Sequence, residues 1–92
     1  MLVSLEQVKE YLRIDYNDED ALLESLICSA EELCASVVRM PVLELMEQND
    51  PNIHIAVMYC VAYLYEHRED ANHNSLVLTL RALLFGLRKE GF

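Results

Sequence analysis

The sequence predicts an all-α protein, a small bundle of four main helices around a central apolar helix. An extra short helix fits between the second and the third. Of the 92 residues, 53% are hydrophobic but only two are glycine and two are proline, which is typical of a helix-rich globule. The run from Ile53 to Tyr65 holds twelve apolar or aromatic residues out of thirteen. The flanking segments repeat apolar residues at helical spacing, and a chain of this length predicts one domain over residues 1–92.

The central run has the signals of a helix at both ends. Asp50 can cap the N-terminus, Pro51 suits the first turn, and charged residues return from Glu66 onward. Because apolar residues cover every side of this helix, we expect it to be buried all round. A domain this small covers one side within the subunit, so we expect the side with Tyr59, Tyr63 and Tyr65 to lie near a subunit boundary. It is shorter than the roughly 20 apolar residues that a membrane span needs.

The first helix begins at a capping box. Ser4 is the expected N-cap and Gln7 the third helical residue. The helix is predicted to run to about Arg13 and to bury the apolar stripe Leu5, Val8 and Leu12, with Tyr11 near the edge of that stripe.

An acidic junction, residues 14–20, leads to the second helix. Asn17 or Asp18 is the expected N-cap, and the nearby carboxylates would complement the helix dipole. A calcium loop is excluded because Asp20 stands where that loop requires glycine and Leu26 stands where it requires a bidentate glutamate.

The second helix is predicted from about Asp18 to Val38. Its apolar stripe contains Leu22, Leu23, Leu26, Ile27, Ala30, Leu33, Cys34, Val37 and Val38. The opposite, polar face contains Glu24, Ser25, Glu31, Glu32 and Ser36. Cys34 is therefore expected in the core and Cys28 on the polar face.

Pro41 ends the second helix. The segment 42–48 can form one or two helical turns, with Leu43 and Met46 expected to point inward. After the central run, Asn74 or Ser75 is the expected cap of a last helix, from about Leu76 to Lys89. Its inner face consists of Leu76, Leu80, Leu83, Leu84 and Leu87. Leu78 and Phe85 form a second apolar ridge on the back of this helix.

The charge is uneven along the chain. The net charge is −9; residues 1–80 hold 15 acidic against 4 basic residues, whereas residues 81–92 hold three basic residues and one acidic. This argues against tight binding to nucleic acid, because affinity for phosphates comes largely from lysine and arginine. A DNA-reading helix-turn-helix is disfavoured too, because the one helix with clustered bases commits its leucine face to the core.

The sequence predicts no enzyme, cofactor or metal site. It has no glycine-rich phosphate loop, nucleophile elbow or paired cysteine motif. Three cysteines without such spacing indicate free thiols in a reducing compartment. No signal peptide is visible, so we expect the protein to be soluble and intracellular when made.

Several stretches taken in order resemble a known family. They are residues 5–15, the acidic residues 17–20, residues 21–27, residues 56–69 and residues 81–89. Together they resemble the small all-helical head–tail connector, or adaptor, proteins of tailed phages and prophages, a family also described as DNA-packaging proteins. The segment 39–48 departs from the expected pattern, since the family usually turns there with glycine or threonine.

The resemblance implies a structural virion protein at the head–tail junction, made in the host cytoplasm. It implies a ring of copies under the portal protein that joins the capsid to the tail or stopper proteins and lets DNA pass without specific binding. We expect the subunit or portal interface to contain Leu78, Arg81, Phe85, Arg88, Lys89 and Phe92. The alternative from the residues alone is a small helical protein–protein adaptor or regulator that is not part of a virion.

Overall fold

The computed structural model describes residues 3–48, 50–67 and 74–85. Within them the chain forms five helices and no strand, so the all-α prediction is confirmed. The helices are α1 (Leu5–Leu12), α2 (Asp20–Val38), α3 (Val42–Glu47), α4 (Pro51–Glu66) and α5 (Asn74–Leu83). The short α3 is the extra helix that the sequence allowed between the second and third main helices.

The core forms where α2 and α4 pack along each other. α4 also contacts α1 and α5, and α2 contacts α1, α3 and α5. The long buried side chains are aliphatic and come from every helix. They include Val8, Leu23, Ile27, Leu45, Ile53, Val57, Leu76 and Leu80. The central apolar helix of the prediction is thus α4, and it shares the centre of the bundle with α2.

Local capping chemistry was predicted correctly at two helices. Ser4 Oγ accepts a hydrogen bond from the Gln7 amide at 3.1 Å, and the Ser4 amide donates to Gln7 Oε1 at 2.9 Å. Asp50 Oδ1 accepts from the Asn52 amide at 2.9 Å, with Pro51 as the first residue of α4. Both contacts satisfy amides that a helix N-terminus leaves without an intrahelical partner.

The start of α2 was predicted wrongly. The helix begins at Asp20 instead of Asp18, and its N-cap Glu19 makes no capping hydrogen bond with its side chain. The side chains of the junction are used for contacts with other elements instead. Lys9 Nζ donates to Asn17 Oδ1 at 2.5 Å and pairs with Asp20 Oδ1 at 2.9 Å. These contacts tie the junction to α1.

Glu19 joins the junction to the far end of α4. Its Oε1 accepts hydrogen bonds from the Tyr65 hydroxyl at 2.6 Å and from the Tyr16 hydroxyl at 3.1 Å. The carboxylate raises the pKa of Tyr65 above its usual value, because the hydrogen bond holds the phenolic proton. This contact crosses 46 positions of sequence, so helix capping rules do not predict it.

The Tyr65 contact makes a prediction about alkaline stability. Because its folded-state pKa is raised, Tyr65 contributes its full stabilisation below the unfolded-state pKa of about 10. That contribution is lost as the pH rises through 10 toward the folded-state value. We expect Tyr65→Phe to lower the urea midpoint at about pH 7 and to lower it less at about pH 11. A midpoint difference that stays constant or widens with pH would contradict this assignment.

Both α1 and α2 end in a left-handed arginine. Arg13 and Arg39 each have φ of 60°, a conformation that favours glycine. In each case the next residue folds back, with Ile14 N donating to Lys9 O and Met40 N donating to Ala35 O. Ile14 and Met40 are both buried, and this apolar contact accompanies the C-terminal turn.

Three predictions of side-chain burial need correction. Glu31, assigned to the polar face of α2, is buried, because α2 is covered by four other helices and its buried side is wider than one stripe. In α3 the inward side chain is Leu45, whereas Leu43 and Met46 are exposed. Cys28 is exposed and Cys34 is buried, as predicted.

The central helix is not buried all round. Ile53 is 1% exposed, but Ile55, two residues later, is 53% exposed. Residues two positions apart lie on nearly opposite sides of a helix. The neighbouring helices cover only the Ile53 side fully. The apolar residues of the other side therefore reach the surface.

The last helix agrees with the prediction on its inner face. Leu76, Leu80 and Leu84 are buried and Leu83 is partly buried. Asn74 and Ser75 are its first helical residues, not its caps as predicted; a difference of one or two residues is usual at helix ends. α5 ends at Leu83, earlier than the predicted end at Lys89; Leu87 and Lys89 themselves lie outside the described residues.

Candidate functional site

The back of α5 carries an exposed apolar surface. Leu78 is 63% exposed and Phe85 is 77% exposed, and the exposed Arg81 lies between them in sequence on the same side of the helix. Leu78 lies within α5, and Phe85 follows two residues after the end of the helix at Leu83. We call Leu78, Arg81 and Phe85 the outer ridge.

The outer ridge contains three of the six residues predicted as an interface. The leucine face predicts that Leu78 and Phe85 lie on the outside, and the leucines at positions 76, 80 and 84 are indeed buried; Arg81 is predicted from the positive charge of the C-terminal segment. The other three residues, Arg88, Lys89 and Phe92, lie outside the described residues. Their role in an interface stays a prediction.

A second apolar surface lies between α1, α4 and α5. It is an open depression of about 480 Å³, which we call the groove. Its lining comes from all three helices. The lining residues are Gln7 and Tyr11 of α1; His54, Ile55, Met58 and Tyr59 of α4; and Thr79 and Leu83 of α5.

The groove is lined mainly by apolar and aromatic side chains that water reaches. Tyr11 is 56% exposed and Ile55 is 53% exposed, and Met58 and Tyr59 are half-buried. The sequence predicted that the side of α4 with Tyr59 lies near a subunit boundary, but it did not predict the groove or its other lining residues. The available signal was the uniformly apolar run from Ile53 to Tyr65, which exceeds what a bundle of this size covers. Which of its residues reach the surface depends on how three helices pack together.

Acidic side chains stand at both ends of the groove. A shallow depression that shares Tyr11 and Met58 with the groove is also lined by Glu10. At the other end, a depression that shares His54 and Ile55 is lined by Asp50 and Pro51. The surface therefore extends along α4 from Pro51 to Tyr59, which is eight residues or about 12 Å.

The charge of α5 differs from that of the other helices. Residues 3–48 and 50–67 carry 13 acidic and 3 basic side chains. Residues 74–85 carry Arg81 and no acidic side chain. Among the described helices, α5 is thus the one that carries a basic side chain and no acidic side chain. That basic side chain, Arg81, belongs to the outer ridge. This difference makes it electrostatically complementary to the rest of the molecule.

Two cysteines of the core face each other between α2 and α4. Cys34 of α2 and Cys60 of α4 are both buried. A hydrogen bond with Cys60, together with burial, raises the pKa of Cys34 well above its usual value. The thiol is therefore protonated at neutral pH, whereas the thiolate is the reactive form.

Two other kinds of site are absent from the described residues. No group of three or more His, Cys, Asp or Glu side chains is placed to hold a metal ion within residues 3–48, 50–67 and 74–85. Among the helices that the structure describes, none has the length and hydropathy of a membrane span.

The chain matches the model of a known protein family. A family model described as "Phage gp6-like head-tail connector protein" matches residues 2–89. The match includes the helices that form the groove and the outer ridge. No curated protein and no solved structure gives a significant match.

Proposed function

The chain belongs to the phage gp6-like head–tail connector family, and from this premise we propose that its copies form a ring between the portal protein and the tail. In this role the chain is a structural part of the virion, at the head–tail junction. The ring contacts the portal protein on one side and tail or stopper proteins on the other. Before assembly the subunits are in the host cytoplasm.

The observation that carries the proposal is the outer ridge. Leu78 and Phe85 are large apolar side chains, 63% and 77% exposed; Leu78 lies on the back of α5, whose opposite side is in the core, and Phe85 follows the end of that helix. A pair of this kind beside an exposed arginine is typical of the centre of a protein–protein interface, where aromatic residues and arginine are enriched. The groove supplies a second, different surface, and a ring needs two different surfaces on each subunit.

The acidic character of the chain supports the passage of DNA without specific binding. Affinity for DNA comes largely from lysine and arginine that neutralise phosphates, and the described residues outside α5 carry 13 acidic against 3 basic side chains. A ring of such subunits repels the DNA backbone from its surface. The genome therefore passes through the ring without being held.

The proposal is tested by the mass of the assembly. Native mass spectrometry and sedimentation of the full chain, alone and with the portal protein of the same virion, are expected to detect a ring of many copies. Rings that appear only with the portal protein support the proposal equally, because the portal then acts as a template. A chain that remains monomeric or dimeric in both conditions contradicts it.

A charge reversal on α5 is expected to weaken this assembly. Arg81→Glu places a negative charge on the outer ridge and opposes an acidic neighbour, so we expect assembly to weaken several-fold, most strongly at low salt. Arg13→Glu is the matched control, because Arg13 is also exposed but lies at the end of α1. The sequence predicts the same weakening for Arg88→Glu with Lys89→Glu. Equal effects of Arg81→Glu and Arg13→Glu would show that net charge alone is responsible.

A further inference from the structure

The structure suggests how neighbouring copies meet. We propose that the outer ridge of one copy docks into the groove of the next, with Leu78 and Phe85 covered by Tyr11, Ile55 and Met58. This inference rests on the proposed ring and adds to it the pair of surfaces in contact. The occupant of the groove is therefore a second copy of this chain.

The two surfaces agree in chemistry and in length. Both are apolar surfaces that water reaches, with Ile55 and Tyr11 more than half exposed on one side and Leu78 and Phe85 on the other. The outer ridge covers the stretch from Leu78 to Phe85, and the groove with its extension covers a stretch of similar length on α4, from Pro51 to Tyr59. Docking would remove apolar surface from water on both copies, which is the main favourable contribution to association.

Charge selects this pairing over other contacts between copies. The ends of the groove carry Glu10 and Asp50, and the outer ridge carries Arg81 without an acidic neighbour on α5. Two copies that meet through α1 to α3 bring acidic surfaces together and repel each other. A copy that meets the groove through α5 brings Arg81 toward acidic side chains instead.

The two surfaces point in different directions from the same subunit. The groove takes Thr79 and Leu83 from one flank of α5, whereas Leu78 and Arg81 lie on its back. A copy can therefore receive a neighbour in its groove while its own outer ridge enters the groove of another copy. Repeated around a closed circle, such a head-to-tail contact produces a ring.

The test uses one variant of each surface. Leu78→Asp disables the outer ridge and Ile55→Asp disables the groove. Because both positions are exposed, we expect the two variants to fold, which circular dichroism verifies. Each variant alone is expected to assemble roughly tenfold or more weakly than the wild type. Mixed together they retain one intact ridge and one intact groove, so we expect a 1:1 pair of two 10.6 kDa chains and nothing larger.

The outcomes separate this inference from the ring itself. If the wild type forms a ring and the mixed variants stay monomeric, the proposed contact is wrong and the ring stands. If the wild type stops at two copies both alone and with the portal protein while the mixed variants pair, the contact stands and the ring is wrong.

Disulfide trapping decides the case in which the wild type stays monomeric. In a Cys28→Ser background, which removes the exposed thiol, Leu78→Cys and Ile55→Cys chains are mixed and oxidised. We expect cross-linking between them to exceed that of Leu78→Cys with Glu24→Cys, an exposed control position on α2. Equal cross-linking of the two pairs would overturn the proposed contact.

Discussion

Replacing Ile53 with alanine is expected to destabilise the protein by about 2–5 kcal/mol. Ile53 is 1% exposed and belongs to the buried core of α4, so truncation removes apolar contacts and leaves a cavity that the neighbouring helices fill only in part. The higher helix propensity of alanine offsets less than about 0.7 kcal/mol of this loss of stability. For a chain of this size, with a total stability on the order of 5–15 kcal/mol, this is a large fraction.

Ile55→Ala is the matched control for that substitution. It removes the same atoms from the same helix two residues later, but Ile55 is 53% exposed, so we expect a change within about 0.5 kcal/mol. Urea unfolding followed by circular dichroism measures both, and repeating it at two protein concentrations reveals any stabilisation by assembly. A loss of similar size in the two variants would show that both sides of α4 are buried within one subunit.

Ile53 and Ile55 also show which features of α4 the sequence could predict and which it could not. The helix, its Asp50 cap and its central place follow from residues that are close together in the chain. Its rotation about its own axis does not, because a run that is apolar on every side does not indicate which side faces the core. Ile53 and Ile55 are chemically identical in the sequence, and only the packing of the other helices makes one a core residue and the other part of the groove.

Long-range contacts account for the other differences from the sequence prediction. Glu19 and Asp20 stand at the N-terminus of α2, as expected, but their side chains also bind the Tyr65 hydroxyl and the Lys9 amine, which the sequence did not predict. Those partners come from other helices, and spacing rules describe only neighbours in sequence. The outer ridge was predictable because α5 has a regular leucine face, which assigns Leu78 and Phe85 to the opposite side. The groove needs residues from three helices, so no single stretch of sequence indicates it.

The second large effect is expected at Leu45 in α3. This helix has six residues, and Leu45 is its one fully buried side chain. Leu45→Ala is expected to weaken the packing of α3 against α2 by about 2–5 kcal/mol. Leu43→Ala, at a position that is 75% exposed, is the control and should change stability by less than about 0.5 kcal/mol.

Within the described residues, α3 packs mainly against α2. Because α3 is also short, we expect the effect of Leu45→Ala to be largely local. A helix of six residues does not persist in water without tertiary packing, so α3 unfolds while the bundle of α2 and α4 remains. Amide hydrogen exchange measures this directly. The Leu45 amide, which donates to Pro41 O at 3.0 Å, should lose protection, while amides in the middle of α2 and α4 keep theirs. Equal loss throughout the chain would mean that α3 is an integral part of the cooperative core.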